Sequence, residues 1–379
     1  MELQTLTYTK EKGWSVAEFP ELDSPNTLII AFGAQEYIND QKPLKQLIKS
    51  YPQAKIIGCS TAGEISGAVV TDARIVVAVA KFKKTHLEEA SAEVHSADDS
   101  FAAGEKIAKK LNHDSLRGIF MLSDGLNVNG SQFIKGLNSL LTSEVKVTGG
   151  LAGDGNRFKQ TWIIYDGELR ANLITAIGFY GNDIHIGHGS RGGWDSFGPE
   201  RHITKSKNNV LYELDGKPAL ELYKEYLGER AKGLPATGLL FPLAIRQNED
   251  DTKEIVRTIL AIDEKEQSMT FAGDIPTGYL AKLMRAHFDR LITGANEAAA
   301  TAAENQQNAH TLLSIAISCV GRRLLLGEYT EEETESTLES LPKGTQQIGF
   351  YSYGEISPYA SGYCDLHNQT MTLTTFSEE

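Results

Sequence analysis

Gly58-Cys59-Ser60-Thr61-Ala62-Gly63-Glu64-Ile65-Ser66 decides how this chain is read. It follows the short apolar run Ala54 to Ile57 and sets small hydrogen-bonding side chains between two glycines. Such a segment fits a turn at the end of a strand, where backbone N–H groups and hydroxyls can face a ligand. A related stretch returns near the other end as Gly354-Glu355-Ile356-Ser357-Pro358, after the run Ile348 to Tyr353. Two Gly-Glu-Ile-Ser turns this far apart, each behind an apolar run, suggest one shared site built from both ends. The alternative is two ordinary strand-ending turns.

Outward from these turns, strand and helix patterns alternate. Thr27 to Phe32 reads as a buried strand, Lys42 to Tyr51 as an amphipathic helix, and the β-branched run Arg74 to Phe82 as a strand. Ser100 to Leu111 has helical spacing, Gly118 to Leu122 is a strand ending in Ser123-Asp124-Gly125, and Ser131 to Leu141 is helical again. Lys146 to Thr148 leads into Gly149-Gly150-Leu151-Ala152-Gly153-Asp154-Gly155. Gln160 to Tyr165 and Ala171 to Tyr180, joined through Asp166-Gly167, predict a hairpin. Past Gly189 the composition becomes that of a connecting loop, then Asn209 to Leu214 predicts a strand and Pro218 to Leu227 a helix stopped by Gly228. Leu280 to Gln307 carries the longest helical pattern, with Gly294 as a bend or break. Thr311 to Val320, Gly344 to Tyr353 and Thr370 to Phe376 return to β. The expected class is therefore α/β of the mixed α+β kind, in two lobes, each a mixed sheet with covering helices, over residues 1–200 and 201–379.

With 379 residues, 41% hydrophobic and 23% charged, the chain has the composition of an ordinary globular protein with a large core. A net charge of −13 argues against nucleic acid as a partner, because a phosphate backbone needs a basic surface. No segment reaches the roughly 18 apolar residues of a membrane span. Met1-Glu2-Leu3-Gln4-Thr5 lacks a secretory leader's basic start and apolar core, so the cytoplasm is the expected location. Three cysteines without C-x-x-C spacing predict neither a disulfide framework nor a zinc site. The acidic run Glu331-Glu332-Glu333 reads as an exposed helix start.

The two turns, Gly149 to Gly155, Tyr165-Asp166-Gly167, Leu214 to Ala219, Ser318-Cys319-Val320-Gly321-Arg322 and Leu366-His367-Asn368-Gln369-Thr370 together resemble the FIST-domain family along nearly the whole chain. The resemblance implies an intracellular sensory module with an N-terminal and a C-terminal FIST segment that binds a small ligand and signals to a separate protein. A histidine kinase, a cyclic-di-nucleotide enzyme or a chemotaxis receptor is the natural partner. It implies no catalytic set. It also brings in a subgroup of noncovalent haem-dependent nitric-oxide sensors, for which haem b needs an axial imidazole in an apolar slot, with His287 and His310 as candidates.

Residue chemistry sets the remaining candidates. In Cys59-Ser60-Thr61 the hydroxyls and N–H groups are read as holding a carboxylate or similar anion, with Cys59 at the site or as a small buried packing residue; a hydrolase or transferase using Cys59 or Ser60 needs a nearby base, and Gly58-x-Ser60-x-x-Gly63 misses the nucleophile-elbow spacing by one residue. Gly149 to Gly155 lacks both the P-loop and the Rossmann pattern, so close backbone approach is the better account, with Asp154 binding an amino group or holding its own turn. Arg322 suits a ligand carboxylate, or a salt bridge to Glu64 or Glu355, while those two acids suit an ammonium. Together with hydroxyls such as that of Ser357 this set fits an amino-acid-like zwitterion, with Cys319 beside it and His367 expected as a structural or site-lining residue.

Overall fold

The computed structural model describes residues 1–251, 254–307, 309–358 and 362–379. The class is mixed α/β, and among the described residues three of the four sheets repeat one plan. In the first, Thr27–Ala34 lies parallel to Lys55–Thr61 and antiparallel to Ile75–Lys81, which pairs in turn with Glu2–Thr9. The second repeats this with Leu116–Ser123, Lys146–Leu151, Leu173–Tyr180 and His86–Glu93. The third uses Leu313–Cys319, Gln346–Ser352, Met371–Glu378 and Ile184–Arg191. In each, helix joins the two parallel strands, as a parallel crossover requires: Lys42–Ser50, Gly130–Asn138, and the pair Val320–Leu326 and Thr330–Ser340.

After its second parallel strand each chain segment leaves its own sheet and pairs with another. Glu64–Ser66 pairs with Gln346–Ser352, Ile163–Tyr165 with Lys55–Thr61, and Gly354–Pro358 with Lys146–Leu151. The first sheet is thus laced to the third, the second to the first and the third to the second, which closes a ring and covers three strand edges. Backbone bonds mark the crossings: Ala62 N–H donates to the Tyr351 carbonyl (2.8 Å), Gly153 to Ser60 (3.0 Å) and Tyr353 to Leu151 (3.2 Å).

Inside the ring the three sheets share one core, where the Phe32 and Phe350 rings stand 4.6 Å apart and those of Phe179 and Phe376 4.9 Å. The outer faces are covered by helices, Lys42–Ser50 on the first sheet and, among others, Gly130–Asn138 and Phe288–Ala302 on the other two. A smaller lobe, residues 194–286, is inserted between Ile184–Arg191 and Phe288–Ala302; among its described residues it has its own sheet of nine strands and its own core around Leu211, Phe241 and Phe271.

Two element expectations change. The pattern from Leu280 to Gln307 is a strand, Leu280–Ala286, then a helix, Phe288–Ala302. Leu280–Ala286 is held by Leu243–Arg246 on one side and Arg201–Lys207 on the other, and this tertiary pairing outweighs a modest helical preference. Gly294 neither bends nor breaks the helix; it packs where a Cβ would stand 3.4 Å from Gly193 N. The hairpin at Asp166-Gly167 forms, with positive φ at both residues (51° and 74°), but between Ile163–Tyr165 and Glu168–Arg170. The long strand Leu173–Tyr180 belongs to the second sheet.

Candidate functional site

The ring gives the two Gly-Glu turns equivalent places at separate sheet crossings, rather than one shared pocket, and adds a third. Thr61-Ala62-Gly63-Glu64, Ser352-Tyr353-Gly354-Glu355 and Leu151-Ala152-Gly153-Asp154 each run from a strand end through one crossing residue and a glycine to an acid. All three acids are buried. Glu64 accepts from the Thr61 hydroxyl (2.5 Å), the Thr71 hydroxyl (3.3 Å) and Arg74 N–H (3.0 Å). Glu355 accepts from Ser352 (2.5 Å) and from the hydroxyl and N–H of Thr370 (3.0 and 3.2 Å). Asp154 accepts from the N–H groups of Phe158, Lys159 and Gln160 at 2.8, 2.8 and 2.9 Å and from the Tyr353 hydroxyl. Burial pushes the Glu64 carboxyl up to about 7 and that of Glu355 to about 8. Burial also pushes Asp154 up, but the Tyr353 hydroxyl and three backbone donors outweigh it and hold that carboxyl below its ordinary value. Each acid therefore ties down the return of its own crossing, and Glu64 and Glu355 share no hydrogen-bonding partner.

Arg322 pairs with neither glutamate. Its guanidinium meets Glu333 at 2.6 Å and donates to the carbonyls of Leu291 (2.8 Å) and Gly192, with both charged side chains 0% exposed. Glu333 also accepts from Ser318 and Tyr351, each at 2.9 Å. The acidic run is thus a helix start, in Thr330–Ser340, whose third glutamate points into the core rather than to solvent. Nothing at the sequence level separated Glu333 from Glu331 and Glu332, because helical phase alone turns it inward.

Cys59 lies in the shared core, where burial raises its thiol well above the ordinary value, and the Ser60 hydroxyl accepts from Trp162 N–H at 3.0 Å. Neither presents a nucleophile to a cavity. The Ser357 hydroxyl is buried without a hydrogen-bond partner among the described residues. His367 is buried, 3.3 Å from the Ser357 carbonyl, and lines a cavity of about 400 Å³ with His188. His287, at the start of Phe288–Ala302, and His310 are both exposed. An axial haem ligand needs an imidazole facing an apolar slot, and these two face solvent.

A larger cleft, about 650 Å³, opens where the crossing at Tyr353 meets the inserted lobe. This volume falls within the roughly 300–1,000 Å³ of small-molecule sites. Of the residues singled out from sequence, Cys319 lines it, and burial raises its thiol too; Thr61 lines a separate cavity of about 200 Å³. The cleft's body side is the loop Gly125 to Asn129 with Gln132, Phe158 stacked on Tyr353 (4.5 Å, 16°), and Cys319 to Gly321. Its other wall is Asn208, Asn209, Leu239, Thr258, Leu260 and Phe271 to Gly273 of the inserted lobe.

Local chemistry builds that loop. One oxygen of Asp124 accepts from the N–H groups of Leu126 and Asn127, both at 2.8 Å, which folds the chain back at the strand end. Gly125 is obligatory, since a Cβ would stand 1.8 Å from the Ala152 carbonyl oxygen. Asn129 then caps Gly130–Asn138 by accepting from Gln132 N–H at 3.1 Å. The two walls are tied by Asp274 of the inserted lobe, which accepts from Asn129 (3.0 Å), Gln132 (2.5 Å) and Lys135 (3.0 Å). Burial pushes the Asp274 carboxyl up, but these donors bring it below the ordinary value. Ser123-Asp124-Gly125 was the one signal in the sequence for this loop, and as a strand end it carried no hint of the second wall.

Two family models match the chain, the FIST N domain over residues 27–217 and the FIST C domain over residues 219–358. The chain belongs to the FIST family, whose domains are sensory domains of signal-transduction proteins. The boundary between the two matches falls inside the inserted lobe. An uncharacterized protein of Methanocaldococcus jannaschii, MJ1623, is 30% identical over 218 residues, covering 52% of this chain and 40% of that protein. The chain thus spans well under two thirds of that relative's length. Among solved structures, cyanuric acid hydrolase from A. caulinodans aligns over 100% of this chain and 98% of its own at 8% identity and a TM-score of 0.33, too low to carry an argument. Among the described residues, no helix is long and apolar enough to cross a membrane.

Proposed function

We propose that this FIST protein senses a small organic molecule held in the 650 Å³ cleft and passes its occupancy to a separate signalling protein, a histidine kinase, a cyclic-di-nucleotide enzyme or a chemotaxis receptor. The observation that carries this reading is the shared lining: Gln132 and Tyr353 come from the three-sheet body, whereas Asn209, Thr258 and Leu260 come from the inserted lobe. A ligand touching both walls favours one seating of the lobe over others, and only such differential contact shifts a population.

An amino-acid-like ligand is supported in one half. The cleft offers acceptors to an ammonium, but no arginine or lysine lines it among the described residues, and Arg322 is sealed against Glu333. Haem has no support from His287 or His310, both exposed.

The test is a thermal-shift panel of amines, amino acids, carboxylates and nucleosides on the purified chain, followed by hydrogen exchange with any hit. Binding in the cleft protects amides of residues 125–132 and 258–273 together. Protection of one wall alone, or a panel without a hit, sinks the reading.

A further inference from the structure

We infer that the cleft takes a primary amine with an apolar body, bound as its ammonium ion; this rests on the reading of the cleft as the ligand site. Part of the donor capacity that lines it is already spent. Asn209 spends one of its two amide N–H groups on the Phe271 carbonyl (2.8 Å), and Gln132 spends one of its two on Asp274 (2.5 Å). Asn127 spends its amide on Asn172 (2.8 Å). Each of these three lining side chains also carries a carbonyl oxygen that can accept. The backbone N–H groups of Leu126 and Asn127, which would otherwise serve an anion, are consumed by Asp124.

Charge points the same way. Asp98 is the charged residue in the lining among the described residues, and no cation accompanies it. The whole chain carries −13, so a cation arrives down the field rather than against it. The apolar half of the ligand has its own place. Phe158 (48% exposed), Phe101 (40%) and Leu260 (46%) rim the cleft, and Phe158 with Tyr353 forms a flat stacked shelf. A carboxylate in this setting faces several oxygens and Asp98 with no partner to neutralise it, which excludes acids and weakens zwitterions.

The experiment is calorimetric titration of the full chain with 2-phenylethylamine, phenylalanine and 3-phenylpropionate, three probes sharing one ring and differing in charge. The expected order is amine over zwitterion over acid, with the acid silent at millimolar concentration. Asp98→Asn weakens the amine by about tenfold, as one charge-assisted contact should. Asp98→Lys, at an exposed position that the fold does not use, reverses the preference. Leu260→Trp, which narrows the mouth, abolishes binding of the amine. If the acid binds as well as the amine and Leu260→Trp removes both, the cleft stands and the amine assignment falls. If the amine binds and Leu260→Trp leaves it unchanged, the cleft itself is the wrong site. Silence of all three probes also overturns the amine assignment.

Discussion

The hydroxyl of Ser352 donates to the carboxylate of Glu355 at 2.5 Å, three residues on, across the point where the chain passes from the third sheet to the second. Thr61 does the same to Glu64 where the chain passes from the first sheet to the third. The acid is bound on its far side by the strand that returns, Thr370 in one case and Arg74 in the other. A buried carboxyl used in this way staples a crossing, and its protonation state becomes part of the fold's stability.

Raising the pH from mildly acidic to about 8 should therefore weaken the protein. The Glu64 and Glu355 carboxyls are raised to about 7 and about 8, above the roughly 4.3 of an unfolded glutamate. The folded state then holds more protons than the unfolded state between about 4.3 and 7 to 8, so stability is fully present below the unfolded value, declines across that window and levels off above it. Urea unfolding from pH 5 to 9 checks this. The Glu355→Gln variant should lose most of the decline and overtake the wild type near the top of the range.

His188 acts at the other end of the scale. Burial first, then Lys146 and His367, push its imidazole down to about 4. The unfolded chain therefore binds the proton first, and stability is lost as pH falls from about 6.5, the ordinary histidine value, towards 4. A His188→Asn variant should remove that step from the acid limb. A ring-proton NMR titration that places His188 near 6.5 in the folded protein would falsify the assignment.

Arg322→Met should be among the most damaging single changes. It leaves Glu333 charged, buried and unpaired, which typically costs about 3–5 kcal/mol. The double variant Arg322→Met, Glu333→Leu should recover part of that loss, although Ser318 and Tyr351 then lose their acceptor. Chemical denaturation of the four members of this cycle measures the coupling. Once folded at low temperature, the single variant should bind cleft probes as the wild type does, because Arg322 is not in the lining.

Gly125→Ala should damage the cleft through its loop. The added methyl would overlap the Ala152 carbonyl, so the turn held by Asp124 must shift. Overpacking of this kind costs about 1–3 kcal/mol, and more where backbone is the obstacle. Calorimetry should show a lowered melting temperature together with loss of probe binding. Unchanged affinity in a folded Gly125→Ala protein would mean that this loop is not a wall of the site.

Much of the architecture was legible locally. Thr27 to Phe32 is legible as a buried strand and Arg74 to Phe82 as a strand rich in β-branched residues, because a sheet packed on both faces leaves no polar alternation. The two Gly-Glu-Ile-Ser turns suggest one shared site from sequence, yet they sit at separate strand-ending crossings, and the third crossing is hidden because it carries Asp154 and lacks Ile-Ser. Leu280 to Ala286 was misread because a short apolar stretch has no period long enough to tell strand from helix. The site residues fared differently. Glu64, Glu355 and Arg322 were selected for their charge at glycine-rich strand ends, yet each meets its partner inside the protein.

By itself the sequence determined the mixed α/β class, the strand-ending turns and the family, since composition, period and local turn chemistry are properties of neighbouring residues. Tertiary structure alone decided that three crossings close a ring, that Arg322 finds Glu333 rather than Glu64 or Glu355, and that residues 194–286 supply the second wall of the cleft. Periodicity says which face of an element is buried. Which distant strand, acid or lobe comes to cover that face is settled by sheet closure and packing, and those act across the whole chain.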